Sequence, residues 1–228
     1  MGEIINYYKL AKTNPNLYSL ANEYLIKDLI DKNLSGKDKI KELQGMDMES
    51  KITGKIIPGM IYSFKYNYQK DFSECPFSDV IPIILTCGLS EFTKPDNKGN
   101  LIRGIYIHGF NLNYLNDKER CVLLDFIQTQ YKMFFENDVN NAVANNSFAL
   151  NTNFGKLIMD NNAFARLIEN ALGIKINDYY RLYNLLLIDN LRLVEFNNWK
   201  YIPLLDTRRT VANASISQIR ELLNSENK

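Results

Sequence analysis

The single histidine of this chain, His108, is its first candidate for acid–base or nucleophilic chemistry. It lies in the run 104–109, on the strand face that it would share with Tyr106 and Phe110. Catalysis by a cysteine and a histidine needs the thiol and the imidazole within hydrogen-bond reach, and no local motif provides that pairing. We therefore predict that His108 is a packed or hydrogen-bonded residue, with hydrolysis through Cys121 or His108 as a minor alternative.

The three cysteines, Cys75, Cys87 and Cys121, do not form the pattern of a metal site or a disulfide framework. An odd number without a C-x-x-C spacing argues against both. Each cysteine has apolar neighbours in the sequence, and buried free cysteines behave as small apolar side chains. We predict reduced core thiols, as expected for a protein made in a reducing cytoplasm.

Charged side chains that could bind a ligand or transfer protons are clustered in two segments. Asp71, Glu74 and Asp79 lie near Cys75, and clustered carboxylates can hold a metal ion or transfer protons. Their spacing is irregular, so we interpret them as part of a solvated loop. The segment 206–209 carries two adjacent arginines that could bind a phosphate or a partner's carboxylate. An exposed turn is the simpler interpretation of that segment.

No motif of a catalytic or cofactor-binding kind is present in the sequence. The G-x-G-x-x-G and P-loop patterns that bind phosphate are absent. We therefore predict no enzyme and no catalytic, cofactor-binding or metal site. The net charge of +1 gives no overall field that would attract nucleic acid. No run approaches the roughly 18 apolar residues that span a bilayer, and residues 1–10 lack the apolar core of a secretory signal, so no membrane partner is expected.

The segment 55–115 predicts an antiparallel sheet. Within residues 60–68 every second side chain is large and mostly aromatic and the others are polar, which is typical of a strand with one buried and one wet face. Apolar runs at 80–86 and 101–110 predict two more strands, on either side of the turn-rich loop 94–100. Aromatic strands with interleaved lysine also occur in OB-type nucleic-acid platforms. Because the chain has no excess of basic residues, we predict instead that the aromatic face of this strand belongs to the core. Tyr62, Phe64 and Tyr66 would then be buried against the helix predicted at 116–135.

Three helices are predicted after the sheet. The segment 116–135 begins with a capping box formed by Asn116 and Glu119. The segment 160–172 ends at Gly173, and 177–188 is a tyrosine-rich third helix. The apolar stripes of the first two helices consist of Leu123, Leu124, Ile127, Tyr131, Phe134 and Phe135, and of Phe164, Leu167, Ile168, Ala171 and Leu172. An asparagine-rich loop at 137–153 separates these two helices.

The remaining segments complete an α+β organisation, with a small antiparallel sheet or partly closed barrel wrapped by helices. Residues 1–53 predict an N-terminal helical arm and linker, in which Asn14 caps a helix and 44–53 is the linker. Residues 54–212 form the core domain, closed by a hairpin whose strands, 191–196 and 199–204, flank the turn Asn197-Asn198. Residues 213–228 predict an amphipathic C-terminal helix. The arm is expected to dock on a neighbouring subunit.

Three phrases of the sheet segment resemble a virion structural protein family of tailed bacteriophages, associated with T4-like and crAss-like genomes. They are P-G-x-x-Y-x-F-x-Y, P-F-x-D-x-x-P, and N-L-N-Y-L before a helix that carries an arginine. In this chain they consist of Pro58, Gly59, Tyr62, Phe64 and Tyr66; of Pro76, Phe77, Asp79 and Pro82; and of Asn111, Leu112, Asn113, Tyr114 and Leu115 with Arg120. Trp199 and the run Ile202-Pro203-Leu204 look like the family's closing aromatic strand. The chain departs from the family in the longer stretch 87–107 and in its N-terminal arm.

The resemblance implies a virion component near the tail, neck or baseplate, and it implies no activity. We expect a subunit whose copies pack into a ring or collar, with portal, tail or baseplate proteins as partners, assembled in the host cytoplasm. Some relatives carry labels of head completion or DNA-end protection. A DNA-binding protein that caps or guides packaged DNA is therefore the alternative, although DNA is not the favoured partner.

Overall fold

The computed structural model describes residues 3–14, 16–17, 56–67, 81–95, 99, 101–134, 153–194 and 196–205. The helices in this part of the chain are α1 (Glu3–Thr13), α2 (Asp117–Phe134), α3 (Asn153–Met159) and α4 (Asn161–Leu172). The strands are β1 (Ile61–Tyr66), β2 (Ile83–Pro95), β3 (Leu101–Asn111), β4 (Tyr180–Asn184) and β5 (Ile188–Leu193). Short 3₁₀ segments lie at Leu112–Tyr114, Ile176–Tyr179, Leu185–Leu187 and Phe196–Leu204. The predicted α+β class is confirmed.

The strands form one antiparallel sheet in the order β4-β3-β2-β1-β5. The sheet is open and does not close into a barrel. Its two edge strands, β4 and β5, are nevertheless joined by only the 3₁₀ segment Leu185–Leu187. The backbone N–H of Asn184 on β4 donates to Tyr66 Oη on β1 at 3.3 Å. The sheet is therefore strongly curved, and it has a concave face.

The ladder register assigns side chains to the two faces. Leu85 pairs with both Ile61 and Phe110, so these three residues lie on one face. That face is covered by helices, because the ring of Phe110 contacts Phe164 on α4 at a centroid distance of 5.6 Å. Tyr62, the neighbour of Ile61 in β1, lies on the opposite, concave face.

The predicted burial of Tyr62, Phe64 and Tyr66 is confirmed, since they are 3%, 0% and 9% exposed. The rings of Phe64 and Tyr66 both meet Tyr183 of β4, and their packing against helix α2 stays a prediction. The predicted wet face of this strand is wrong at Ser63, which is 3% exposed, because β1 is an inner strand with cover on both sides.

The second and third predicted strands are confirmed, but they are part of a longer hairpin. Strand β2 runs on to Pro95, which pairs with Leu101, so residues 94 and 95 lie in the ladder and not in the predicted loop. A bulge between Thr86 and Gly88 shifts the register. The extra residue rotates the distal strand without ending it, which is why an apolar run that stops near Thr86 does not mark the strand's end.

Both long helices are confirmed together with their caps. Asn116 and Glu119 exchange two hydrogen bonds of 2.9 Å between side chain and backbone. Asp160 accepts from the Ala163 N–H at 3.0 Å, and Gly173 ends α4 with a φ of 71°. The predicted stripe residues Leu123, Leu124, Ile127, Tyr131, Phe164 and Ile168 are fully buried, whereas Ala171 is exposed.

Two predictions for the segment 177–204 are wrong. The tyrosine-rich helix is instead a 3₁₀ turn followed by β4, a second 3₁₀ turn and β5. The predicted hairpin around Asn197-Asn198 is instead the 3₁₀ segment Phe196–Leu204, and β5 pairs with β1. Edge-strand pairing with distant residues overrides the local pattern here, as tertiary contacts commonly do.

The N-terminal helix α1 packs against the core. Ile4, Tyr8 and Ala11 are buried, and Tyr8 Oη donates to Asp117 Oδ2 at 2.9 Å. The first part of the predicted arm thus docks on its own domain. Asn14 caps the next helical segment as predicted, because its Oδ1 accepts from the Asn16 N–H at 3.2 Å. The boundary at residue 53, the loop 137–152 and the helix 213–228 lie outside the described residues.

Candidate functional site

The arrangement closest to catalytic geometry joins His108 on β3 to Tyr180 on β4. His108 Nδ1 and Tyr180 Oη are 2.8 Å apart, and the two rings meet edge to face. The bulge in β2 brings Gly88 opposite His108. Gly88 has a φ of +133°, which side-chain-bearing residues rarely adopt. His108 is thus packed and hydrogen-bonded, as predicted.

Burial keeps this group of side chains uncharged near neutral pH. It lowers the pKa of His108. Burial, reinforced by the Asp160 carboxylate, raises the pKa of Cys87 to about 12. Burial and then the neighbouring Cys87 raise the pKa of Tyr180 to about 12. Only a thiolate is a strong nucleophile, so these side chains form a neutral packing unit and not an activated Cys–His pair.

Cys121 on α2 is the second described thiol. It is 3% exposed, and burial followed by the charge of Asp125 raises its pKa to about 11. Cys87 and Cys121 are both free and buried, as predicted. Cys75 lies outside the described residues, as do the acidic cluster of Asp71, Glu74 and Asp79 and the arginine-bearing segment 206–209.

The two asparagines of the N-L-N-Y-L phrase are buried and hydrogen-bonded. Asn111 donates through Nδ2 to Tyr183 Oη at 2.9 Å and accepts through Oδ1 from the Asn113 N–H at 3.1 Å. Asn113 donates through Nδ2 to the carbonyl of Ile81 at 2.8 Å. These bonds tie the end of β3 to the chain entering β2 and to the edge strand β4.

Three further matching residues, Gly59, Arg120 and Trp199, also bond to the backbone of the core. Gly59 donates its N–H to the Thr86 carbonyl at 2.7 Å, and its own carbonyl accepts from the Tyr131 hydroxyl. Arg120 is 3% exposed and donates to the carbonyl of Leu205 at 2.6 Å. Trp199 is fully buried, and its indole N–H donates to Val194. These matching residues therefore help to build the frame of the fold, whereas Pro76, Phe77 and Asp79 of the second phrase lie outside the described residues.

The outer part of the β2–β3 hairpin extends beyond its neighbouring strands. Within the described residues, β1 pairs with β2 only at 83–85 and β4 pairs with β3 only at 106–110. The ladder continues outward from the Glu91–Ile105 pair to the Pro95–Leu101 pair. We call residues 91–95 and 101–105 the hairpin arm. Five residues per strand make it about 17 Å long.

One side of the hairpin arm carries exposed apolar groups. Phe92 is 44% exposed and meets Tyr106 edge to face at 5.6 Å. The ring of Tyr106 lies over Gly104, where a Cβ would approach it to 2.8 Å. At the base of the arm, Leu182 is 44% exposed and pairs with His108. We call Phe92, Tyr106 and Leu182 the apolar strip. Catalytic sequence patterns do not reveal it, and its only signal in the sequence was the unexpected length of the stretch 87–107.

A second surface combines lysine and tyrosine side chains from α1 and the segment Phe196–Leu204. Lys200 Nζ lies 5.6 Å from the ring centroids of both Tyr7 and Tyr201, and Lys12 Nζ lies 4.7 Å from that of Tyr8. The rings of Tyr7 and Tyr201 meet edge to face. Lysine and aromatic side chains together are the materials of single-strand nucleic-acid surfaces.

A surface cleft is one further place in the described part of the chain where a small ligand could lie. It has a volume of about 390 Å³ and lies between α4 and the 3₁₀ turn before β4. Arg166 and Glu169 line it with opposite charges, beside Asn162, Ala165 and Asn177. No group of three or more potential metal ligands occurs among the described residues. None of the described helices has both the length and the apolar character needed to cross a membrane.

Comparison of the chain with models of known protein families, with curated proteins and with solved structures finds no match.

Proposed function

We propose that this protein is a non-enzymatic structural subunit of a tailed-phage particle, and that its copies pack into a ring or collar of the tail, neck or baseplate. The observation that carries the proposal is the position of the phrases that resemble the phage family. Gly59, Asn111, Asn113 and Trp199 are buried and bonded to the backbone of the core. Buried residues of this kind specify a fold, and the role in assembly is inferred from the resemblance of the phrases to the phage family.

The hairpin arm supports the same proposal. Its two strands pair with each other and, within the described residues, with no further strand. An exposed strand edge with an apolar face is a site for pairing with another chain. Phe92, at 44% exposure, gives that face a large aromatic side chain.

Protein composition of the purified particle tests the proposal. Particles of the phage that encodes this chain would be separated into heads and tails, and each fraction analysed by mass spectrometry. We expect peptides of the chain in the tail or neck fraction, in several copies per particle, together with portal, tail or baseplate proteins. Absence of the chain from purified particles would contradict the proposal.

A DNA-binding function in head completion or DNA-end protection is the second candidate. The lysines beside Tyr7, Tyr8 and Tyr201 favour it. A DNA-binding surface would give a steep loss of affinity with added salt. We expect duplex binding no tighter than a non-specific Kd of roughly 10⁻⁴–10⁻⁶ M at physiological salt, and tight binding to DNA ends would favour this second function instead.

A further inference from the structure

We propose that the cleft between α4 and the 3₁₀ turn before β4 binds an extended polypeptide segment that carries one acidic and one basic side chain, two positions apart. We call it the polar cleft, and its lining residues are Asn162, Ala165, Arg166, Glu169 and Asn177. The inference rests on the proposed function for the source of the segment, which would be a neighbouring protein of the particle. It goes further by assigning one surface to that contact and by stating the chemistry of the partner.

The polar cleft presents a positive and a negative side chain that are both available to a partner. Asn162, Arg166, Glu169 and Asn177 are exposed, whereas Ala165 is 5% exposed. Arg166 donates through Nε to the backbone carbonyl of Asn162 at 3.3 Å, which ties its guanidinium to α4. The terminal nitrogens of Arg166 and the carboxylate of Glu169 form no ion pair with a described residue.

The shape of the polar cleft favours a segment of another protein over a small molecule. Pockets that hold small molecules enclose most of the ligand surface and are lined mainly by apolar side chains. The polar cleft has a volume of about 390 Å³ and one apolar lining residue, and its polar side chains are exposed. A ligand bound here would keep one side in solvent. Such partial cover suits a segment that its own protein holds in place.

The two asparagines supply groups that match an extended backbone. Asn162 lies in the first turn of α4, and Asn177 lies across the cleft in the 3₁₀ segment Ile176–Tyr179. An asparagine amide carries both a hydrogen-bond donor and an acceptor. Each residue of an extended chain other than proline presents the same two kinds of group. The amides can therefore bind backbone of any sequence, and the charged residues must provide the selectivity.

Arg166 and Glu169 determine the charges of the segment and their spacing. They are three residues apart on α4, and the Cβ atoms of residues so spaced on a helix are about 5–6 Å apart. In an extended chain alternate side chains point the same way and are about 6.6–6.8 Å apart. An acidic and a basic residue on either side of one further residue would therefore reach Arg166 and Glu169 together. The order of the two charges depends on the direction in which the segment runs.

Titration of the full-length protein with short peptides tests the inference. The probes are three pentapeptides with blocked ends, Gly-Asp-Ala-Lys-Gly, Gly-Asp-Ala-Asp-Gly and Gly-Lys-Ala-Lys-Gly, added at millimolar concentration to isotope-labelled protein and followed by nuclear magnetic resonance. Exposed charge pairs contribute little each, so the measured quantity is the preference among the peptides. We expect the mixed-charge peptide to bind severalfold more tightly than either like-charged peptide and to shift the side-chain amide signals of Asn162 and Asn177.

Charge variants make the preference diagnostic. Arg166→Glu leaves two carboxylates in the cleft and should prefer the lysine peptide severalfold, whereas Glu169→Arg should prefer the aspartate peptide. The double variant exchanges the two charges without changing the net charge, so it should again prefer the mixed-charge peptide. Lys118→Glu, at an exposed position of α2, alters the net charge as Arg166→Glu does and should keep the preference of the parent.

The contrary outcomes are distinct. No signal change with any peptide, equal binding of all three, or signal changes confined to residues outside the cleft would overturn the inference. The same change of preference in Lys118→Glu as in Arg166→Glu would also overturn it, because overall charge would then explain the result. Binding of free alanine as tight as that of the mixed-charge peptide would show a small zwitterion as the ligand and would overturn it too. None of these results bears on the presence of the chain in particles, which particle composition tests separately.

Discussion

The rings of Phe64 on β1 and Tyr183 on β4 meet edge to face with their centroids 5.1 Å apart, although β2 and β3 lie between their strands. Neighbouring strands are about 4.8 Å apart, so a flat sheet would separate these residues by roughly 14 Å. The contact is therefore a direct consequence of the sheet's curvature. The aromatic side chains of β1 pack against another strand of the same sheet. Replacing one of them by a small residue should therefore lower the stability of the protein.

Phe64→Ala should lower the free energy of unfolding by about 3–5 kcal/mol, because it empties a fully buried aromatic position. Phe92→Ala removes the same side chain from an exposed position and should cost no more than about 0.5 kcal/mol. Chemical denaturation followed by circular dichroism measures both. Loss of nucleic-acid binding in Phe64→Ala without loss of stability would restore the binding-platform interpretation of this strand.

Tyr131→Phe should cost about 1–3 kcal/mol, because it removes the hydroxyl that donates to the buried carbonyl of Gly59. Burial raises the pKa of Tyr131 well above its ordinary value, so the hydroxyl is a proton donor throughout the useful pH range. Tyr106→Phe, next to the hairpin arm on β3, is the control and should be nearly neutral. Equal stabilities of the two variants would show that the bond to Gly59 contributes nothing.

Ile4→Ala should destabilise the protein by about 2–5 kcal/mol, since Ile4 is fully buried although it lies near the N-terminus. Leu10→Ala, on the exposed side of the same helix, should change stability by no more than about 0.5 kcal/mol. Thermal denaturation distinguishes them. The same burial means that deleting residues 1–45 should destabilise the core, whereas an arm that docks only on neighbours would leave Ile4→Ala as stable as the parent.

The native protein should expose at most one reactive thiol to an aromatic disulfide reagent near neutral pH. Cys87 and Cys121 are buried, with pKa values raised to about 12 and about 11, so neither has an appreciable thiolate fraction. After denaturation all three cysteines should react. Rapid labelling of Cys87 or Cys121 in the folded state, located by peptide mapping, would contradict the burial.

His108 should make the protein less stable in mild acid. Burial lowers its pKa in the folded state below the ordinary 6.5, so the unfolded chain binds more protons in that range. The stability that neutral His108 provides is therefore complete above pH 6.5 and is lost as the pH falls toward the lowered value. In His108→Asn, where an amide oxygen can accept from Tyr180, the slope of unfolding free energy between pH 8 and about 5.5 should be smaller than in the parent. Equal slopes in the parent and in His108→Asn would show that His108 is not the source of the pH dependence.

Local signals predicted the parts of the fold that depend on neighbouring residues. The capping box at Asn116 and Glu119 and the stop at Gly173 are short-range hydrogen-bonding and backbone effects, and both were found where the sequence predicted them. The predictions for the segment 177–204 were wrong because β4 and β5 are strands through their pairing with β3 and β1. A local sequence pattern carries no information about such long-range pairing. Within the candidate site, the packing of His108 was predictable, whereas the hairpin arm depended on a bulge at Thr86–Gly88 that an apolar run cannot reveal.

The three-residue link between β4 and β5 also constrains the order of events during synthesis. The hydrogen bond between Asn184 and Tyr66 joins residues 118 positions apart, and both edge strands come from the segment after residue 179. Until the ribosome has released that segment, β1 and β3 lack the edge strands that pair with them in the described sheet, and Phe64 and Tyr66 lack their contact with Tyr183. Contacts of such long sequence separation slow folding, so the growing chain passes through a long stage in which chaperone protection would matter most.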